Sequence, residues 1–178
     1  IILYLGGLFK GRSIDKILRI FDEINSDDLS LIFMGYGPMD RVINQYAQIN
    51  KNIFLHNAVS SKEILEYASS ADIGIAYLNN GSLNDELCLP NKFFEYIFSG
   101  LPVITSKSPD MVKILERYNI GISISELNRL NFLKSITKIK EFDKDRLRES
   151  LKIAADNLSW VKQERILLNG FRNLILNK

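Results

Sequence analysis

Two short stretches of this 178-residue chain gather the residue types that hold anions and sugars. The first is Gly6-Gly7-Leu8-Phe9-Lys10-Gly11-Arg12-Ser13. Its glycines let backbone approach a ligand closely. Lys10 and Arg12 add positive charge, and a helix beginning at Ser13 adds free backbone N–H groups. That combination suits a diphosphate. The loop has neither the Lys-Ser/Thr ending of a P-loop nor the GxGxxG of a dinucleotide fingerprint. A plain strand–helix turn carrying two surface cations accounts for it equally well. The second stretch is Leu89-Pro90-Asn91-Lys92-Phe93-Phe94-Glu95-Tyr96. Pro90 restricts the residue before it and opens a helix. Asn91 and Lys92 then lie where free N–H groups, the helix dipole and an ammonium favour an anion. Glu95 falls about one turn further on the same side, and its carboxylate can accept hydrogen bonds from two vicinal hydroxyls. Phosphate at the helix start and a diol beside Glu95 make the footprint of a nucleotide. The alternative is an exposed Lys92–Glu95 pair worth roughly a few tenths of a kcal/mol. Phe93, Phe94, Tyr96 and Phe98 argue against it, because they make the helix apolar on more than one face.

These stretches need a scaffold, and the hydrophobic pattern supplies one. Apolar runs at Ile1–Leu5, Leu29–Met34, Ile53–Leu55, Ile73–Leu78, Pro102–Thr105 and Ile120–Ile124 read as strands. Helical spacing follows at Ser13–Ile24, with Ser13 as its cap, and at Asp40–Ile49. Further helices are expected over about Lys62–Ser69, capped by Ser60 or Ser61, and over about Asn91–Ser99, stopped by Gly100. Pro109–Tyr118 completes the alternation. Asn79–Glu86 reads as polar turn chemistry around Asn79-Asn80-Gly81. After Ile124 only helices are expected, at Leu130–Ile139, Lys144–Asn157 and Val161–Leu176, with Trp160 as a packing anchor. Strand, turn and helix repeated about six times predict an α/β fold: a Rossmann-like doubly wound parallel sheet, core 1–125, with a helical tail over 126–178. The strands are apolar throughout, as when both faces are covered. Ligands of such sheets sit at the carboxyl ends of the strands, where both stretches fall.

Composition narrows the chemistry. Hydrophobic residues are 46% and charged residues 25%, the proportions of a globular chain. A domain this long buries roughly 70% of its unfolded surface and needs no staples. The net charge of +2 does not suggest a dedicated nucleic-acid binder. One cysteine, Cys88, excludes an internal disulfide and a multi-cysteine zinc site. One histidine, His56, excludes a two-histidine metal site and disfavours a histidine-based triad. Cys88 is expected as a small apolar filler, and His56 is given no role. No apolar run is long enough to span a membrane, no signal peptide is visible, and a cytoplasmic setting is expected. Charge is uneven: 12 basic and 15 acidic residues over 1–133, 11 basic and 6 acidic over 134–178. The +5 of the tail is a solvated helical surface or an attraction to an anionic membrane. A chain that opens inside a strand at Ile1 reads as a piece of a longer one.

Leu89–Tyr96 followed by Gly100-Leu101-Pro102-Val103-Ile104 resembles the donor-site signature of group 1 glycosyltransferases, the retaining, GT-B-fold enzymes of family four. Tyr4-Leu5-Gly6-Gly7 with Arg12-Ser13-Ile14-Asp15 resembles the family's first strand and phosphate loop. Leu31–Pro38 resembles its second strand and Gly-x-Gly-Pro turn, Asn52–Ile64 its third strand and following helix, and Ser159-Trp160 its tail. The resemblance implies a C-terminal, nucleotide-sugar-binding domain whose N-terminal, acceptor-binding half is absent. It implies that Glu95 holds the ribose hydroxyls, that Asn91 and Lys92 face the diphosphate behind Leu89 and Pro90, and that Arg12 matches the phosphate-binding lysine. Gly6, Gly7 and Lys10 belong to that loop, and Asn57, Ala58 and Val59 lie where the base is held. The family's Arg after the first glycine is Gly7 here. Its first acidic residue falls on Leu87, with Glu86 one position away. Glu86 and Glu95 are the acids expected to be catalytic, Glu95 at the ribose and Glu86 or Asp85 reaching the sugar from a mobile loop, with solvated loop acids as the alternative.

The implied reaction passes a sugar, with retention, from a nucleoside diphosphate sugar to an acceptor hydroxyl on a glycan or glycolipid. The donor is most often uridine-linked. No metal or other cofactor is implied. A nucleotide-sugar epimerase, a non-catalytic binding or scaffold domain, and a flavodoxin-like receiver domain are the rivals. The epimerase is expected to use more acids and histidines, and the receiver needs strand-end aspartates that the first strand lacks.

Overall fold

A computed structural model describes residues 1–78 and 82–176. Asn79, Asn80 and Gly81, expected as a turn, lie outside the described residues. Six strands form one parallel sheet: β1 (Ile2–Gly7), β2 (Leu31–Tyr36), β3 (Ile53–Asn57), β4 (Ile73–Ala76), β5 (Val103–Ser106) and β6 (Gly121–Ile124), in the order β3-β2-β1-β4-β5-β6. The expected doubly wound α/β architecture is therefore present. The helices between strands are α1 (Ile14–Ile24), α2 (Asp40–Ile49), α3 (Ile64–Ala68), α4 (Leu83–Leu87), α5 (Asn91–Phe98) and α6 (Pro109–Tyr118). The tail is α7 (Arg129–Lys140), α8 (Lys144–Leu158) and α9 (Trp160–Leu176). Among the described residues no helix is long and apolar enough to cross a membrane.

Alternate side chains of each strand point to opposite layers. Ile2 and Tyr4 join Ile17, Leu18 and Phe21 of α1 and Phe132 and Ile136 of α7 on one face. Leu3 and Leu5 join Phe93, Tyr96 and Ile97 of α5, Met111 and Leu115 of α6 and Leu151 of α8 on the other. Burial on both faces of β1, β4 and β5 is why these strands show no polar alternation, whereas β3, at the sheet edge, leaves Phe54 and His56 exposed.

Chain direction from β1 runs outward to β2 and β3; from β4 it runs the other way to β5 and β6. The β1/β4 junction is thus the topological switch point, the place where sheets of this kind have their ligand crevice, at the carboxyl ends of the strands. Pairing there is short: only Ile2 opposite Ile73 and Leu3 opposite Gly74. Beyond Leu3 the strands diverge, and the Tyr96 hydroxyl fills the gap. It accepts from Leu5 N–H (2.8 Å) and faces the carbonyls of Leu3 (3.0 Å) and Ile75 (3.2 Å), one of which takes its proton. Gly74 makes room for this: a Cβ there would sit 2.3 Å from the Tyr96 ring.

Several local expectations are corrected. Ser13 does not cap α1 with its side chain; it adopts φ 61° and its buried Oγ has no partner. Ser60 does not cap a helix from Lys62. Its N–H and hydroxyl bond the Glu63 carboxylate (3.2 and 2.5 Å), and α3 is only five residues long. Residues 83–87 are not turn but helix, opened by Ser82, whose Oγ accepts from Asp85 N–H (3.2 Å). Trp160 is no packing anchor in this chain: it is 68% exposed.

Candidate active site

The two stretches meet across the β1/β4 crevice. Gly6, at φ +99°, ends the straight run of β1 in a conformation that disfavours side chains. On the far side, Pro90 (φ −72°, ψ 146°) sets the start of α5, and the Phe93 N–H closes back onto the Pro90 carbonyl (2.9 Å). Asn91 and Lys92 thus lead the helix with their N–H groups at its positive end. The Lys92 stem crosses the crevice close to Gly6, its Cε 3.9 Å from where a Gly6 Cβ would stand. Its Nζ comes to rest 3.5 Å from the centre of the Tyr4 ring on β1.

The electrostatics follow from this crossing. Burial pulls the Lys92 ammonium down to about 7, the Arg12 guanidinium pushes the same way, and Glu95 opposes them. Burial raises the Glu95 carboxyl above its ordinary value, and Lys92 lowers it in part. Lys92 and Glu95 are therefore not an exposed pair: the lysine is desolvated, Glu95 is half-buried, and no salt bridge joins them among the described residues. Positive charge gathered in a partly buried place favours a negatively charged group beside it.

The other expected residues divide. Arg12 stands exposed on its loop, its N–H turned to the Phe9 carbonyl (3.3 Å), with its charge felt at both Tyr4 and Lys92. Gly7 and exposed Lys10 lie on the same loop; no described hydrogen bond or ion pair ties the Lys10 ammonium to the crevice. Leu89 is half-buried and packs with Cys88 on the α5 face of the sheet. Asn57 ends β3, and Ala58 and Val59 follow it. They lie two strands from β1, about 10 Å at ordinary strand spacing. The Asn57 carbonyl is 2.7 Å from His56 Nδ1, and the His56 ring leans on Tyr67. Glu86 is exposed on α4, a capped helical turn rather than a mobile loop, and no described side-chain contact brings it to Lys92 or Glu95. Asp85 is engaged by Ser82 (2.9 Å).

Reading by motif gives no role to the Tyr4 ring, the Tyr96 hydroxyl or Gly74, which the structure brings beside this site. Tyr4 had a visible signal: a hydroxyl in an otherwise hydrocarbon strand.

The family model for glycosyl transferases group 1 matches residues 1–141. Solved structures share the fold at low identity. A glycosyltransferase from Rickettsia africae ESF-5 superposes with TM-score 0.76 at 14% identity, over 99% of this chain and 48% of its own. S. aureus TarM, solved with fondaparinux, alpha-GlcNAc-glycerol and UDP, gives 0.71 at 14%, over 97% and 35%. The C-terminal domain of a group 1 family protein, LpcC from Francisella tularensis, gives 0.62 at 16%, over 87% and 82%. The chain therefore spans less than half of the two longer relatives and most of the isolated domain. No curated protein matches the sequence. With four-fifths of its length under that family model and the fold of a C-terminal domain from the same group, the chain belongs to the group 1 glycosyl transferases.

Proposed function

We infer that this chain is the donor-binding half of a retaining, hexose-transferring glycosyltransferase and holds a nucleoside diphosphate sugar in the β1/β4 crevice. The observation that supports this reading is the reach of Lys92 from α5 to Gly6 and Tyr4, beside Arg12. The diphosphate lies between Arg12, Lys92 and the first N–H groups of α5. The ribose hydroxyls meet Glu95, and the base lies toward Asn57–Val59. As the bond from the anomeric carbon to the diphosphate breaks, negative charge grows on the leaving oxygen. Arg12, Lys92 and the helix N–H groups stabilise that charge. The acceptor hydroxyl gives the new bond to the same carbon, from a glycan or glycolipid held by an acceptor-binding half. Glu86 approaches the sugar only if α4 shifts toward the crevice.

The exposed apolar side chains of α9, among them Trp160, Leu167, Phe171 and Leu174, favour a second body packed on this helix. The excess positive charge of residues 134–178 supports peripheral contact with the inner face of a membrane. UDP, the ligand solved with TarM, is the first nucleotide to test. Calorimetry with UDP, GDP and ADP at millimolar concentration is expected to show binding of at least one, weakened about tenfold by Arg12→Ala or Lys92→Met. Turnover by this chain alone is expected to be negligible. Heat absent for all three nucleotides removes the reading.

A further inference from the structure

We propose that Tyr4 is the positioning residue of this site, its ring receiving the Lys92 ammonium and its hydroxyl abutting the Arg12 turn, so that one side chain sets the spacing of both cations. The inference rests on the donor-site reading above and assigns a residue that reading does not use.

Three observations carry it. First, the Lys92 Nζ lies 3.5 Å above the Tyr4 ring centre, a close cation–π contact on a ring that is 1% exposed. Second, the Tyr4 hydroxyl points to the carbonyl of Arg12 at 3.5 Å, a long contact that locates the turn more than it binds it. Third, the ring is itself fixed, tilted 44° against Phe33 at 5.4 Å between centroids. The rest of β1 shows what ordinary packing uses here: Ile2, Leu3 and Leu5 are all hydrocarbon. A buried hydroxyl with so weak a partner is unfavourable for folding alone. Its place is explained by what lies at its two ends. A lysine stem has four flexible bonds, and an unanchored ammonium beside Gly6 would sample many positions. The ring face selects one of them beside Gly6, and the Tyr4 hydroxyl meets the Arg12 carbonyl. The other charged group felt by Lys92 is Glu95, which lies on the same helix and draws the ammonium the same way whether or not the ring is present.

The test uses the full chain and whichever of UDP, GDP and ADP it binds, with inorganic pyrophosphate and the matching nucleoside as further probes. Tyr4→Phe keeps the ring and is expected within about threefold of the parent for every probe. Tyr4→Leu is expected to weaken nucleoside diphosphate and pyrophosphate about tenfold while leaving the nucleoside unchanged. Added to Lys92→Met, it is expected to cost clearly less than it does alone, since the ring then has no ammonium to hold and only the Arg12 turn loses its neighbour. Equal loss for diphosphate and nucleoside makes Tyr4 a purely structural residue and overturns the proposal, as does unchanged diphosphate affinity. If Tyr4→Leu does not fold, the Lys92 Hε resonances of the parent chain decide. An upfield ring-current shift that survives Tyr4→Phe supports the proposal, and unshifted resonances refute it. A parent chain that binds no nucleotide takes down the donor-site reading, and this inference with it. A parent chain that binds, with Tyr4→Leu binding equally, takes down only the Tyr4 assignment.

Discussion

On the proposed donor-site reading, Lys92 is expected to make nucleotide affinity depend on pH in a way that an ordinary surface lysine would not. Its ammonium, drawn down to about 7 by burial with Arg12 alongside, is about half protonated at pH 7 and only about 3% protonated at pH 8.5. A diphosphate binds the protonated form. The competent fraction therefore falls roughly fifteenfold over that range, which is about 1.6 kcal/mol of apparent affinity. Below pH 7 the curve flattens, because the lysine is already charged. Folding stability runs the other way. Between about 7 and the ordinary lysine value the unfolded chain holds a proton that the folded chain has released, so stability rises with pH in that window. The assay is calorimetric titration from pH 6 to 9, with Lys92→Arg as control. Arginine stays charged throughout, and the ratio of the two affinities cancels any ionisation of the ligand. Affinities that move in parallel from pH 7 to 8.5 would refute the reasoning, because they would mean that the Lys92 ammonium is not desolvated in the empty crevice.

The switch point should be sensitive to its two supports. Gly74→Ala drives a Cβ into the Tyr96 ring and is expected to destabilise the fold by about 1–3 kcal/mol, read as a fall in denaturation midpoint. Tyr96→Phe leaves Leu5 N–H without its acceptor and is expected to cost about 1–3 kcal/mol, with weaker nucleotide binding because α5 loses its pin to β1. Ser13→Gly is expected to stabilise by about 1 kcal/mol, since Ser13 sits at φ 61° with an unpartnered Oγ; an unchanged melting temperature would show that no strain is stored there.

Much of this was legible in the residues because local signals and tertiary demands agree. Periodicity places α2 at Asp40–Ile49 and α6 at Pro109–Tyr118, the bounds the structure shows. Pro90 and Gly100 bracket α5 through proline's fixed φ and glycine's positive one. Failures occur where a side chain answers to something distant. Ser13 looks like a cap, but the backbone turns left-handed after Gly11 and aims its hydroxyl elsewhere. Trp160 looks like an anchor because it is large and apolar, yet α9 turns that face outward. The Tyr96 hydroxyl was invisible because its partners, Leu3, Leu5 and Ile75, are backbone groups many residues away. The same holds for Lys92 on Tyr4. Spacing marks each as polar or aromatic, and only the β1/β4 crossing shows that they touch.

The most direct measurement follows backbone amide resonances of the isotope-labelled chain as UDP is added. The account predicts saturable shifts at Gly6, Gly7, Arg12, Asn91 and Lys92 together, on both banks of the crevice. Shifts confined to another basic part of the surface, such as the cavity lined by Lys107, Lys134 and Lys138, with Gly6 and Lys92 unmoved, would contradict it.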